Sequence, residues 1–380
     1  MIDASLALYV HMPWCVRKCP YCDFNSHQLK SAQPDSSYID ALIRDFEIEA
    51  PRLEGRRIDS VFFGGGTPSL FQPAEFARLL TALKERIAFA DDAEITMEAN
   101  PGTVERGRFL GYAAAGINRV SLGAQSFDSR ALKALGRIHS AQDTHRAVEE
   151  LRDAKLDNFN LDLMYALPGQ TPEEALNDIR EALSLKPSHI SYYQLTLEPG
   201  TVFHSRPPAL PDEDAAWQIQ TAGQTLLAEA GYAQYEVSAY AKNGARCRHN
   251  LNYWLFGDYV GIGAGAHGKL SLGRPMRILR TTKAKQPREY QDQIRRAQDT
   301  VGESVYIAAA DLPFEFMLNA LRLNEGFGAD RYEERTGLSL NMLDQKLDGA
   351  RERGLLEPCS AGWRPTELGR RFLNDLQLSF

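Results

Sequence analysis

Leu6-Ala7-Leu8-Tyr9-Val10-His11 runs directly into Met12-Pro13-Trp14-Cys15-Val16-Arg17-Lys18-Cys19-Pro20-Tyr21-Cys22. The first stretch has the apolar, β-favouring character of a buried strand. The second is a loop with cysteines in the spacing Cys-x3-Cys-x2-Cys and no fourth cysteine nearby. Three thiolates in so short a span, with Pro20 to stiffen it, can hold three irons of a four-iron, four-sulfur (4Fe-4S) cube. The fourth iron is then open to an outside ligand, as a cluster needs if it is to touch a substrate as well as store an electron. The residues alone leave a second reading open, a zinc site with His11 or His27 as the fourth ligand.

Outward from this loop, a strand-then-helix pattern repeats six times. Strands are predicted at 6–11, 58–63, 94–98, 119–123, 158–163 and 189–195, and helices start near Ser37, Pro73, Val104, Ala141, Pro172 and Asp212. Thr171-Pro172-Glu173-Glu174 is a helix start by its chemistry: a capping hydroxyl, proline at the first helical position, a carboxylate at the third. Ser140 can cap the helix from Ala141. Alternation of this kind predicts an α/β fold with a parallel sheet covered by helices. Six units fall short of a closed eight-unit barrel, so the expected form is an incomplete (β/α)6 barrel.

The unusual residues fall at one rim of that barrel, where loops after the strands converge. The cysteine loop follows the first strand, Gly64-Gly65-Gly66-Thr67-Pro68 the second, Gln125 the fourth; Glu98 ends the third, and Asp162 lies near the end of the fifth. Three successive glycines let backbone amides approach a ligand with no side chain in the way, although a tight turn explains them equally well. Glu98 can accept from an ammonium or a ribose, or be a solvated strand end.

Beyond Gly231 the pattern changes. Residues 232–241 alternate like an antiparallel strand, 243–283 are rich in Gly, Asn, His and aromatics, and 284–303 suit a linker or exposed helix. Amphipathic helices at 312–323 and 340–353, a short hairpin over 354–365 and a last helix over 366–376 predict a small winged-helix-like module. The expected division is a barrel over 1–235, a segment and linker over 236–300, and a C-terminal helical domain over 301–380.

The 380 residues are 43% hydrophobic and 24% charged, enough for a sizeable core. Net charge is −7, which argues against a nucleic-acid partner, and so does the absence of a basic recognition helix. The first residues do not resemble a signal peptide, and no stretch approaches the ~20 apolar residues of a membrane span. Five cysteines without an export signal are expected to stay reduced, so the expected location is cytoplasmic.

The cysteine spacing, with aromatic Tyr21 before the third cysteine, resembles the radical S-adenosylmethionine superfamily. That resemblance implies that the open iron chelates the amino and carboxylate groups of S-adenosylmethionine, and that an electron from the cluster cleaves it to a 5′-deoxyadenosyl radical. Tyr9–Cys15, Gly64–Pro68, Glu98–Pro101, Gly123–Phe127, Leu135–His139, Asn160–Met164 and Gly261–His267 resemble the oxygen-independent coproporphyrinogen dehydrogenase group across nearly the whole chain. By it, Cys15, Cys19 and Cys22 hold the cluster; Tyr9, Tyr21, Gly64, Gly65 and Glu98 attend its S-adenosylmethionine; Gly66, Thr67, Gln125, Arg137 and Asp162 line a neighbouring or second ligand position. Two features depart from that group: Phe24 stands where it carries a further cysteine, and only eight residues precede Tyr9 where it has a long arm.

His249-Asn250-Leu251-Asn252-Tyr253-Trp254 is similar to the His-Asn-x-x-Tyr-Trp signature of HemW-type heme chaperones. The resemblance implies heme as a third ligand, handed to acceptor hemoproteins such as cytochromes, with any contact to a membrane-bound acceptor peripheral. It also implies an electron donor such as flavodoxin or ferredoxin. Chemically, histidine is a good axial ligand for heme iron. Tyr253 and Trp254 offer flat apolar surface, and Arg246 and Arg248 could pair with propionates. Asn250 belongs to the same motif, and Cys247 is a rival ligand. The residues equally allow His249 to be a core histidine with its hydrogen bonds satisfied. A homodimer is compatible with the sequence, but no residue specifies one; the competing function is oxidative decarboxylation of coproporphyrinogen.

Overall fold

Six parallel strands, each leading into helical structure, form the centre of the molecule, in a computed structural model that describes residues 5–30, 34, 36–53, 55–102, 107–273, 275–296 and 302–380. They are β1 (Ser5–Met12), β2 (Arg57–Gly65), β3 (Ala88–Ala99), β4 (Arg119–Gln125), β5 (Phe159–Tyr165) and β6 (His189–Gln194). Each pairs with its sequence neighbour in parallel register. The α/β partial barrel expected from the sequence is therefore the fold. The predicted helix start at Val104 lies outside the described residues; the helix of that unit is Phe109–Ala115.

Local chemistry sets the helices. Ser140 and Thr171 accept from the backbone of Asp143 and Glu174, whose side chains accept in return from the cap residues' N–H, so both capping boxes form. Asp212 accepts from Ala215 N, starting the helix Glu213–Glu229. The apolar faces of these helices close over the sheet, with Phe46, Phe63, Phe76, Leu79, Tyr112, Leu151 and Ile179 all buried.

The sheet continues past the sixth unit in both directions. At one edge, the stretch read as one antiparallel strand is two, β7 (Ala233–Glu236) and β8 (Ala239–Ala241). Glu236 turns the chain between them by accepting from both the backbone and the hydroxyl of Ser238, each at 3.1 Å. On the other side a seventh parallel strand, β9 (Tyr259–Ile262), pairs with β1. Antiparallel β10 (His267–Leu272), β11 (Arg277–Thr282) and β12 (Glu303–Tyr306) follow, giving the order β12-β11-β10-β9-β1-β2-β3-β4-β5-β6-β8-β7.

The polar stretch after residue 283 carries an amphipathic helix, Pro287–Arg296, which buries Tyr290 and Ile294. Its Tyr290 hydroxyl and Lys283 Nζ donate to Asp45, at 2.8 and 2.7 Å; Asp45 also accepts from Gly263 N at 3.1 Å. This buried cluster fixes the turn after β9. C-terminal helices Leu312–Ala320, Ala329–Thr336 and Asp344–Glu352, a hairpin of Leu356–Cys359 with Gly362–Pro365, and two short helices after it form a second core. Phe256 and Ile278 of the sheet side belong to that core, with Phe256 5.6 Å from Phe316. The expected last helix is broken at Phe372.

Candidate functional site

The cysteine loop is latched to the end of β2. Gly66 N donates to Met12 O at 2.8 Å and Thr67 N to Trp14 O at 2.7 Å. Downstream, Trp14–Cys15 pairs with His27–Gln28. None of Cys15, Cys19 and Cys22 is in a disulfide. Each sulfur has a polar neighbour: Thr67 Oγ1 at 3.5 Å from Cys15, Arg137 Nη1 at 3.7 Å from Cys19, Ser26 Oγ at 3.7 Å from Cys22. Asn100 joins the first two neighbours, donating to Thr67 Oγ1 at 2.9 Å and accepting from Arg137. One hydrogen-bonded chain thus spans from Cys15 to Cys19. Burial raises the Cys15 and Cys22 thiols above their ordinary range, while the Thr67 and Ser26 hydroxyls pull the other way. Loading a metal here therefore releases protons. Among the described residues no three His, Cys, Asp or Glu side chains could hold a single metal ion. His11, one zinc-ligand candidate, has both ring nitrogens engaged, by Tyr9 OH at 3.0 Å and Asn25 O at 2.9 Å. The free thiols and their donors fit a multi-iron cube.

Gly66 is the tightest point of the latch. A Cβ there would lie 2.6 Å from Trp14 O and 2.8 Å from Met12 O, both backbone atoms of the cysteine strand. Gly66→Ala must push that strand outward, so it should cost ~1–3 kcal/mol and lower the iron bound per chain; thermal unfolding and iron analysis check both. Gly65 has φ +111°, and its Cβ would strike the His11 ring at 2.3 Å.

Beside the latch, Gly65 N donates to Glu98 Oε2 at 3.1 Å. Burial first, and then the negative charge of Asp162, push the Glu98 carboxyl up to about 8. Asp162 is raised by burial too, although Ser121 Oγ at 3.1 Å and Asn160 Nδ2 at 2.8 Å donate to it. Asn160 in turn meets His189, which bonds Tyr235, so the barrel interior is filled by one polar network. Gln125 sits at φ +68° and accepts from Tyr193 OH at 2.8 Å. Tyr21 packs near Phe203, with ring centroids 6.4 Å apart.

The motif segment is a helix, Arg248–Trp254, just before β9. Its cap residue makes no side-chain cap; Glu94 of β3 takes that role, accepting from the backbone of Arg248 and of His249 at 3.1 Å each. His249 is 1% exposed. Both its nitrogens are committed, to Ser60 Oγ at 3.1 Å and Tyr253 OH at 2.8 Å. Burial, then the charge of Arg119, lowers its pKa to about 3, so it is a neutral imidazole. Tyr9, Phe62 and Tyr253 pack around it. Asn250 is half-buried. Arg246 pairs with Glu325, Arg248 with Asp92, and burial pushes the Cys247 thiol up to about 12. The propionate and rival-ligand roles considered for these three do not fit the cavity described next, because none of them is in its lining.

That cavity, of about 720 Å³, opens between the cysteine loop, the motif helix, β9–β11 and the C-terminal domain. The size is within the ~300–1,000 Å³ usual for cofactor and ligand sites. Tyr9, Gly65 and Glu98 line it together with Tyr253 and Trp254, so the two predicted groups share one space. Phe24, 58% exposed, adds apolar wall. Lys18 and Lys285 add cationic rim, and His11, His27 and His267 supply imidazoles. Trp254 is clamped from the far side by Arg322 of the C-terminal domain, whose guanidinium lies 4.2 Å from the ring. Thr67, Gln125, Arg137 and Asp162 lie outside this cavity's lining, on the cysteine sulfurs or in the barrel network.

The profile of the Radical SAM superfamily matches residues 9–182, and that of the HemN C-terminal domain matches residues 307–372. A protein of Escherichia coli (strain K12) named Heme chaperone HemW is 50% identical over 372 residues, 98% of this chain and 97% of that protein. The protein of the same name from Haemophilus influenzae is 49% identical over 379 residues, 98% and 96% of the two chains. The chain belongs to the HemW family. A solved structure described as coproporphyrinogen III oxidase (HemN) from Escherichia coli, a Radical SAM enzyme, shares the fold. It superposes with a TM-score of 0.82 at 22% identity, over 98% of this chain and 89% of that one.

For this HemW-family chain, three contributors to the site were not singled out from sequence: Asn100, Asn25 and Glu94. Asn100 stands within the quoted Glu98–Pro101 motif, so the signal was present and its role was not. Asn25 ties the cysteine loop to the turn after β9, donating to Ala264 O and to Lys285 O at 2.9 Å each. That contact spans more than two hundred residues, and nothing local announces it. No helix is long and apolar enough to cross a membrane among the described residues.

Proposed function

We propose that this chain binds heme in the cavity beside the cysteine loop and passes it to acceptor hemoproteins. In this reading Cys15, Cys19 and Cys22 carry a 4Fe-4S cluster next to S-adenosylmethionine. The observation that carries it is the shared lining: Tyr253 and Trp254 of the motif helix face the same space as Tyr9, Gly65 and Glu98. Family membership supports it, since the relatives bear the name Heme chaperone.

Each residue has a definable task. Gly64, Gly65 and Gly66 bring backbone within reach of an amino-acid moiety, and Glu98 accepts from an ammonium or a ribose. Thr67, Asn100 and Arg137 brace the cysteine sulfurs. Trp254, Tyr253 and Phe24 supply flat apolar surface for a macrocycle, and Lys18 and Lys285 can meet its carboxylates. His249 ties the motif helix to β2 through Ser60 and holds the Tyr253 hydroxyl within the helix. When bound, the cluster and S-adenosylmethionine supply a one-electron route to a carbon radical. An electron donor such as flavodoxin or ferredoxin would feed it.

The competing reading is coproporphyrinogen decarboxylation. Phe24 argues against it, because an apolar, unreactive side chain stands where the dehydrogenases are expected to carry a cysteine. The test is one anaerobic preparation with the cluster reconstituted. Hemin titration followed by the Soret band should saturate at a fixed stoichiometry, and a Tyr253→Ala, Trp254→Ala double variant should bind at least about tenfold more weakly, ~1.4 kcal/mol. Coproporphyrinogen with S-adenosylmethionine should give no protoporphyrinogen. Repeated turnovers to protoporphyrinogen, or hemin uptake indifferent to the double variant, reject the reading.

A further inference from the structure

We infer, building on the heme-binding reading above, that His267 is the axial ligand of the heme iron in this cavity. A histidine ligand needs one ring nitrogen with an uncommitted lone pair, and its other nitrogen is normally held by a hydrogen bond that fixes the tautomer. Four histidines lie in or beneath the cavity, and their nitrogens and supporting strands set them apart.

His11 is spent on both sides, on Tyr9 OH and Asn25 O. His27 Nε2 lies 3.2 Å from Asn25 Oδ1, on the two-residue strand that pairs with Trp14–Cys15 of the cysteine loop. His249 is spent on Ser60 and Tyr253. It is also buried on a helix whose first turn is pinned by Glu94. To reach iron it would have to break both bonds and leave two hydroxyls unpaired. His267 has the required pattern on a regular strand of the main sheet: Nδ1 lies 3.3 Å from Thr282 Oγ1, and Nε2 has no hydrogen-bond partner among the described residues. With Nδ1–H donating to Thr282, the lone pair is on Nε2.

The placement of His267 is rigid. It opens β10, in register with Thr282 on β11. The turn before it is fixed from two sides, by Asp45 accepting from Gly263 N and by Asn25 donating to Ala264 O. Gly265 makes the second contact possible, because a Cβ there would fall 2.4 Å from Asn25 Nδ2. Phe24 and Trp254 with their apolar surface, and Lys285 with its cation, line the same cavity as His267, and they suit a porphyrin with carboxylate side chains. The ring is exposed to the cavity, so a ligand can reach it without any backbone movement.

The experiment uses the full chain with its cluster reconstituted, loaded with hemin and then reduced, and reads the iron–histidine stretching band by resonance Raman. Wild type should show the band. His267→Ala should lose it and bind hemin at least about tenfold more weakly, ~1.4 kcal/mol, and added imidazole should restore it. Thr282→Val, which leaves the ring in place and removes its orienting partner, should keep the band and shift it. A wild-type band that survives His267→Ala overturns the ligand assignment while leaving heme binding intact, and so does stoichiometric heme without any such band. No stoichiometric uptake by wild type overturns the assignment together with the heme-binding reading. Because His267 lies on the surface of the cavity, its removal leaves no buried group unpaired, and a cooperative unfolding transition at the wild-type temperature verifies that the variant is folded.

Discussion

Cys15→Ser, Cys19→Ser and Cys22→Ser chains, reconstituted without oxygen, are expected to stay colourless, with iron and labile sulfide near zero. The effect should be all-or-none for each position. A cube held by three protein sulfurs loses a whole corner when one is removed, and serine, a hard oxygen with a hydroxyl that resists ionisation, does not replace a thiolate. The three variants should differ in secondary effects. Cys19→Ser removes the sulfur beside Arg137, and Cys15→Ser the one beside Thr67; both sit on the chain through Asn100. Cys22→Ser removes the sulfur beside Ser26, which is not part of that chain. Changes in the fold around Arg137 should therefore follow the first two and spare the third. Hemin uptake should persist in all three, because none of the cysteines lines the cavity. Wild-type iron and sulfide in any one variant would falsify the ligand assignment, and stoichiometric zinc without sulfide in wild type would replace the cube with a mononuclear site.

What the sequence announced and what it concealed follow one physical division. Local periodicity and capping chemistry are written in neighbouring residues, so the six strands and the Ser140 and Thr171 helix starts could be read directly. The cysteine spacing and the rim glycines were equally legible, because a ligand site at strand ends concentrates unusual residues in short loops. The seventh parallel strand was not. Tyr259–Ile262 is only four residues long, and its strand character comes from pairing with β1, from which it is separated by most of the barrel. Glu94 could not be foreseen as a helix cap for the same reason, since its partners at 248 and 249 lie in another part of the chain. Histidine chemistry was the most deceptive. The motif made His249 the conspicuous residue, while His267, after a glycine-rich stretch, could be read as a turn residue or as a weaker site candidate. Only the hydrogen-bond partners, Ser60 for His249 and Thr282 for His267 among them, separate an imidazole already spent from one that is available.

Glu98→Gln should weaken S-adenosylmethionine binding about thirtyfold, ~2 kcal/mol, the scale of one hydrogen bond to a charged group, while leaving iron and sulfide unchanged. The pH dependence makes the prediction sharper. Burial and the nearby Asp162 raise the Glu98 carboxyl from an ordinary 4.5 to about 8, so the free protein carries it mostly protonated at neutral pH. A group raised in this way stabilises the fold fully below its unfolded value, and that contribution is lost as pH rises through 8. A cationic ligand reverses the preference, because it favours the ionised carboxylate and lowers its pKa. Binding then expels a proton below pH 8, and affinity rises with pH by up to about tenfold per unit until the carboxyl ionises unaided. Glutamine has no proton to give up, so the variant should lose that part of the slope and differ most from wild type near pH 8. Calorimetry between pH 6 and 8, in buffers of different ionisation enthalpy, measures the affinity and the proton count together. Equal slopes for the two chains would mean that Glu98 faces no positive charge in the complex. Its hydrogen bond from Gly65 would then be its whole contribution, holding the glycine backbone in place beside the cysteine loop.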